Sequence, residues 1–158
     1  IIPEDLDLSM LSNVMDTKLK LEIKKQGFAE KYDYIIIDPP GTWNAQTRNA
    51  VFAADTIIVS GKCSPLDFKA TLQYMDTLQD CCLESEVFVV CNAYNKNRDP
   101  GNIWEQYKNT FGDFMIENPI PLVNSFQKLV QNPEYKIPAT VESRMMNFIQ
   151  TVTGKEWA

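Results

Sequence analysis

The chain of 158 residues contains no histidine. That absence removes a Ser–His–Asp triad, a Cys–His pair and any imidazole-held zinc or haem. The four cysteines, Cys63, Cys81, Cys82 and Cys91, include no CxxC spacing, so an iron–sulfur carrier has little support. Adjacent cysteines such as Cys81 and Cys82 rarely bond each other, and a chain of this length can bury a core without staples. The thiols are therefore expected as small buried hydrophobes in a reducing cytoplasm. No apolar run approaches the roughly 18 to 20 residues that span a bilayer, and no signal peptide is visible. Positive charge is scarce too: 15 basic residues face 21 acidic ones, for a net charge of −6. Such a surface is a poor general binder of nucleic acid, leaving at most a local basic patch. The chain opens on Ile1 rather than Met, which raises the expectation that something upstream is absent.

What remains is globular composition, 44% apolar and 23% charged, at the length of one ordinary domain. Short runs rich in β-branched residues recur: Tyr34-Ile35-Ile36-Ile37, Thr56-Ile57-Ile58-Val59-Ser60, Val87-Phe88-Val89-Val90-Cys91 and, more weakly, Phe114-Met115-Ile116. Continuous runs of this kind fit strands covered on both faces, as in a parallel sheet. Helical patterns lie between and around them, at 11–26, 44–54, 103–111 and 141–152. The helix after the second run has the clearest start. Ser64 stands at the N-cap, Pro65 at N1 and Asp67 at N3, an acidic variant of the capping box. Its apolar stripe is expected through Leu66, Ala70, Leu72 or Tyr74, Met75 and Leu78. Alternating strands and helices predict an α/β fold, a mostly parallel sheet with helices on both faces in three layers. No repeat or linker divides the chain, so 1–158 reads as a single domain.

Ligands of open α/β sheets bind beyond the carboxyl ends of the strands. The polar residues expected there are Asp38, then Ser60 and Lys62, then Asn92, then Asn118 with the prolines at 119 and 121. Asp38 follows an apolar run and precedes Pro39-Pro40-Gly41. A carboxylate so placed can sit near a nucleotide's Mg²⁺, the arrangement called Walker B; it can equally cap a turn. Gly41 either admits a backbone N–H close to a phosphate or completes the turn. Asn92 is open in the same way, between ordinary loop chemistry and a base contact.

The longer pattern is more specific. Tyr32-Asp33-Tyr34-Ile35-Ile36-Ile37-Asp38-Pro39-Pro40, then Asn49-Ala50, then Ala53-Ala54-Asp55, resembles the ParA/MinD family of deviant-Walker ATPases. There "YDxIIIDTPP", an "NAL" helix and "AAD" follow at this spacing, and Asp38 and Asp55 keep the family separation. Ile1-Ile2-Pro3 with Leu6-Asp7-Leu8 is similar to the family's "IPA" strand end, Val89-Val90-Cys91-Asn92 to its "VxN" strand, and Ile120-Pro121 to its "IP" loop. The resemblance implies a P-loop NTPase-like fold and an ATP-dependent homodimer that needs Mg²⁺. It further implies slow hydrolysis and a role in partitioning plasmid or chromosomal DNA in a bacterial cytoplasm, with a ParB-like stimulating protein and non-specific DNA as partners and no membrane. Asp38 would organise the metal, Pro39, Pro40 and Gly41 would report the γ-phosphate, and Asn92 and Pro121 would hold the adenine.

The sequence departs from that pattern at two places. No threonine follows the aspartate, so the switch near the γ-phosphate is expected to behave differently. No KGGxGKT loop is present either: the Gly-Lys pairs are Gly61-Lys62 and Gly154-Lys155, neither in a Gly-rich turn. Because such loops supply most phosphate affinity, the chain is expected to be the C-terminal two-thirds of such an ATPase, inactive alone. The alternative is a degenerate, non-catalytic interaction module. Trp43 reads as a dimer anchor or as packing under the switch loop. The lysines at 18, 20, 24, 25 and 31 read as a solvated face. The segment 143–158 reads as core packing, being too thin in apolar and basic faces for a membrane helix. Lys128, Lys136, Arg144 and Lys155 lie where the family carries DNA-touching residues, without a position-by-position match.

Overall fold

A computed structural model describes residues 16–81, 83–99 and 101–155. The part compared with an "IPA" strand end, and residues 11–15 of the first predicted helix, lie outside them. The chain forms two compact units, 1–57 with 83–85 and 58–82 with 86–158.

In the first unit, α1 (Lys18–Lys25) packs on α3 (Ala45–Ala53), with the short α2 (Phe28–Lys31) between them in the chain. Leu19, Ala50 and Val51 are the buried apolar residues of these helices. Asn49 is fully buried. Its Oδ1 accepts from the Leu19 N–H at 3.1 Å and its Nδ2 donates to the Ala45 carbonyl at 2.9 Å. Both ends of the carboxamide are thus satisfied, which makes a buried polar group tolerable between two helices. Arg48 Nε lies 2.9 Å from Asp16 Oδ1 on the rim of the same contact.

Residues 34–37 do not form the expected strand. The described sheet holds two strands, β1 (Thr56–Lys62) and β2 (Glu86–Asn92), and 34–37 is not one of its strands. Strand hydrogen bonds need a neighbour at ladder distance, whatever the propensity of the residues. The run is not helical either. Its burial alternates, with Ile35 and Ile37 half-buried and Ile36 85% exposed, so one side faces outward.

In the second unit, β1 and β2 run parallel with α4 (Pro65–Asp80) as the crossover. β2 is covered on both sides, with Val89, Val90 and Cys91 all buried, as its apolar run predicts. β1 is not: Val59 is buried but Ile58 is 43% exposed. The expected fourth strand is reduced to single parallel bridges, Val89 with Met115 and Tyr94 with Pro121.

α4 starts as its sequence dictates. Ser64 Oγ accepts from the Asp67 N–H at 3.1 Å, Pro65 opens the first turn, and the Ser64 hydroxyl contacts the Asp67 carboxylate. A cap of this kind contributes about 1 kcal/mol. Its buried stripe, however, is Thr71, Met75 and Leu78; Leu66 is 79% exposed. The stripe is displaced from the expected one because a polar residue occupies a core position. The Thr71 hydroxyl lies 2.8 Å from the Asp67 carbonyl and 3.1 Å from the hydroxyl of Tyr107.

Tyr107 belongs to α5 (Ile103–Phe111), whose buried face is Ile103, Tyr107 and Phe111. Asp99 caps this helix, its two carboxylate oxygens accepting from the N–H groups of Ile103 (2.7 Å) and Trp104 (3.2 Å). Phe68 meets Tyr107 and Phe111 edge-on, at centroid distances of 5.2 and 6.0 Å. The chain continues through α6 (Ser125–Gln131) to α7 (Ala139–Thr153), which Gly154 ends in the left-handed conformation. In α7 only Val141 is fully buried, and Met145, Met146, Phe148, Ile149 and Val152 are half-buried. Among the described residues no helix is long and apolar enough to cross a membrane.

One expectation about the cysteines is corrected. Cys63 and Cys91, expected as unlinked hydrophobes, form a disulfide across the ends of β1 and β2. They are 28 residues apart in sequence, and their Cα atoms lie 6.2 Å apart, within the range that permits a bridge. Two parallel strands set their last residues side by side, a proximity that cysteine spacing does not encode.

Candidate functional site

Asp38 is exposed at the head of the loop Pro39-Pro40-Gly41-Thr42, which runs into the N-terminus of α3. Two residues absent from the sequence-based site fix this loop. Asn44, the N-cap of α3, accepts from the Thr47 N–H at 3.0 Å and reaches Thr42 Oγ1 with Nδ2 at 3.2 Å. Thr47 is buried, its hydroxyl 2.9 Å from the Pro40 carbonyl and 2.6 Å from that of Thr42. One hydroxyl proton can serve one of these acceptors at a time, so Thr47 clasps the loop from inside. The loop leaving Asp38 is thereby tied to the N-terminus of α3. Gly41 has open space where a Cβ would be. Its small size is not needed for packing within the described residues.

A magnesium ion characteristically takes one or two protein carboxylates and completes its shell with water and phosphate oxygens. Among the described residues no group of three or more acidic or sulfur side chains gathers as a metal cage. Asp38 presents a single exposed carboxylate at this place.

The second unit brings two other predicted residues together. Asn92 ends β2 and Pro121 bridges Tyr94, two residues further on. The ladder is built by Ile116 N–H to the Val89 carbonyl, Ile120 N–H to that of Cys91, and Tyr94 N–H to that of Ile120, each 2.9 Å, with Leu122 N–H to the Tyr94 carbonyl at 2.8 Å. Asn92 and Pro121 therefore share one edge. The Asn92 Oδ1 accepts from its neighbour's N–H, Ala93, at 2.7 Å, and Ala93 adopts φ 53°. To pair with a base through donor and acceptor together, the carboxamide must release this local bond. Tyr94 lies against Trp104, ring centroids 5.8 Å apart, and Lys108 lies over the Trp104 ring.

The Gly-Lys pairs have structural roles. Gly61 is buried in β1 against the polar pair of α4 and α5. A Cβ there would meet the Tyr107 hydroxyl and stand 2.7 Å from Thr71 Oγ1. The Tyr107 hydroxyl also lies 3.3 Å from the Lys62 carbonyl. Burial first, and the nearby Asp67 charge after it, push the Tyr107 hydroxyl above its ordinary pKa, against the lowering effect of the Thr71 hydrogen bond. Gly154 ends α7.

Of the lysines read as a solvated face, those at 20, 24, 25 and 31 are exposed. Lys25 pairs with Glu22 at 3.6 Å, and Lys31 lies over the Tyr32 ring. Trp43 is half-buried.

The AAA domain family model matches residues 1–86, more than half of the chain. The chain belongs to this family, that of the ParA-like P-loop ATPases. The family region holds Asp38, its loop and Thr47, and ends at the start of β2. Among curated relatives, Protein SopA of Escherichia coli K12 and that of E. coli O157:H7 are each 27% identical over 114 residues. The match covers 66% of this chain and 29% of either relative, so the chain spans under a third of their length. Among solved structures, a candidate plasmid partition protein from Borrelia burgdorferi B31, bound to AMPPNP, superposes with a TM-score of 0.69 at 16% identity. The match covers 91% of this chain and 61% of that one. The fold is thus that of a P-loop NTPase-like partition ATPase, α/β with a parallel sheet.

Proposed function

We propose that the protein is a ParA-like ATPase that dimerises around ATP and Mg²⁺ and positions or partitions DNA cargo in a bacterial cytoplasm. Family membership carries the reading, together with the loop after Asp38, which Thr47 and Asn44 tie to the start of α3. A solved protein of this fold was captured with AMPPNP, which supports nucleotide handling by the same architecture.

Bound Mg²⁺ would neutralise phosphate charge in the transition state, the main requirement of phosphoryl transfer. In the intact protein, residues of this chain would contribute as follows. Asp38 holds the metal directly or through water, and the loop at Pro39, Pro40 and Gly41 changes contacts with the state of the γ-phosphate. Asn92 and Pro121 hold the adenine. Hydrolysis is slow, because positioning rather than a strong general base drives it, in keeping with a chain without histidine. Trp43 serves the dimer contact, a ParB-like protein stimulates turnover, and non-specific DNA meets basic residues of the ATP-bound dimer.

The test is thermal unfolding of the intact protein with and without Mg²⁺ and ATP. Ligand at a hundred times its Kd stabilises the native state by about 2.7 kcal/mol, a shift of several degrees. Asp38→Ala should lose the Mg²⁺-dependent part of that shift. No shift at millimolar ATP would instead identify a non-catalytic interaction module that retains the fold.

A further inference from the structure

The Cys63–Cys91 pair is not explained by nucleotide chemistry. Cys63 directly follows β1 and Cys91 is the penultimate residue of β2, one before Asn92. The disulfide ties the carboxyl ends of two neighbouring parallel strands, the edge at which α/β folds bind ligands. The two sulfurs differ in access. Cys91 is fully buried, whereas Cys63 is half-buried between Lys62 and the start of α4.

We infer that this pair is a reversible thiol–disulfide exchange site for low-molecular-weight disulfides of the glutathione class, and that closing it stiffens the edge that bears Asn92. Oxidation begins at the reachable sulfur. The Cys63 thiolate attacks one sulfur of the small disulfide, whose S–S bond breaks and releases one thiolate. The Cys91 thiolate then attacks Cys63 in the mixed disulfide, and the second small thiolate leaves. Two protein thiols and one small disulfide become one protein disulfide and two small thiols, with the two protons carried by the products. Reduction runs the same steps backwards, with a small thiolate attacking Cys63 and Cys91 leaving. Exchange of this kind depends on access and on which sulfur is attacked, and the burial of Cys91 sets that order.

Closure matters to the edge because Cys91 takes part in its ladder. Its carbonyl accepts from Ile120 N–H, and Asn92 follows it directly. Fixing the Cys91 side chain to Cys63 restrains the turn at Asn92 and Ala93, where the backbone takes a positive φ.

The experiment equilibrates the intact protein in graded mixtures of reduced and oxidised glutathione, traps thiols by alkylation and maps the peptides by mass. The expected result is a Cys63–Cys91 cross-link, two hydrogen atoms lighter than the dithiol and reopened by dithiothreitol. Cys91→Ser should accumulate a glutathione adduct at Cys63, and Cys63→Ser should leave Cys91 unmodified. Amide hydrogen exchange at 92–94 should slow by about tenfold on closure, as expected for a local opening suppressed by a cross-link. The inference is overturned if oxidation bypasses this pair, if Cys91 is the first to react, or if exchange at 92–94 is the same in both states. None of these readouts requires nucleotide, so they stand apart from the ATPase reading.

Discussion

The hydroxyl of Thr47 lies 2.9 Å from the carbonyl of Pro40, seven residues earlier, and so pins the loop after Asp38 to the first turn of α3. Thr47→Val keeps the volume and removes the donor. A typical intramolecular hydrogen bond contributes about 0.5–1.5 kcal/mol, so the unfolding free energy of the intact protein should fall by that amount, read as a lower urea midpoint with an unchanged m value. Thr47→Ser should recover most of the loss, since it restores the hydroxyl.

Asn49 joins α1 to α3 through both ends of its carboxamide. Asn49→Ala leaves the buried Leu19 N–H without its acceptor, and stranding a buried polar group costs about 1–3 kcal/mol. Chemical denaturation should show that loss, and the Leu19 amide should exchange faster than in the parent. A stability equal to the parent's would mean that water replaces the side chain.

Gly61 is needed for close approach, not for an unusual backbone angle. Gly61→Ala places a methyl group against the hydroxyls of Tyr107 and Thr71, and overpacking of this kind costs about 1–3 kcal/mol. Tyr107→Phe vacates part of that space. The double variant should therefore be less destabilised than the two single losses added together, with an interaction of about 0.5–3 kcal/mol read from denaturation.

Tyr107 also makes stability depend on alkaline pH. Its hydroxyl titrates above the ordinary value of 10.0, chiefly through burial. The raised folded value favours the protonated form, so the contribution is complete below about pH 10, where the unfolded chain is also protonated. It is lost as pH rises from there through the folded value. Denaturation midpoints measured from pH 8 to 11 should fall more steeply for the parent than for Tyr107→Phe.

Asn92 provides the test of base recognition. If it pairs with adenine, Asn92→Ala should weaken ATP binding by about tenfold, equivalent to 1.4 kcal/mol, and reduce discrimination between ATP and GTP. Fluorescent-nucleotide titration of the intact protein measures both. An unchanged ratio would assign the side chain solely to its bond with the Ala93 N–H.

The residues themselves determined whatever depends on short range. Ser64, Pro65 and Asp67 specify where α4 begins within one turn. The apolar runs mark β1 and β2, and the string from Tyr32 to Asp55 marks the family, because each signal lies within a few residues of its effect. Tertiary structure decided what depends on partners far along the chain. The run at 34–37 has strand propensity, yet a strand is defined by its neighbour. Thr71 looks like a polar interruption of a helical stripe until Tyr107, 36 residues on, gives its hydroxyl a partner. Asn49 reads as part of a motif until Leu19 shows what it holds, and Cys63 and Cys91 read as isolated thiols until two parallel strands end side by side. Hydrogen bonds and disulfides form between atoms that the fold brings together, and no local pattern records those meetings.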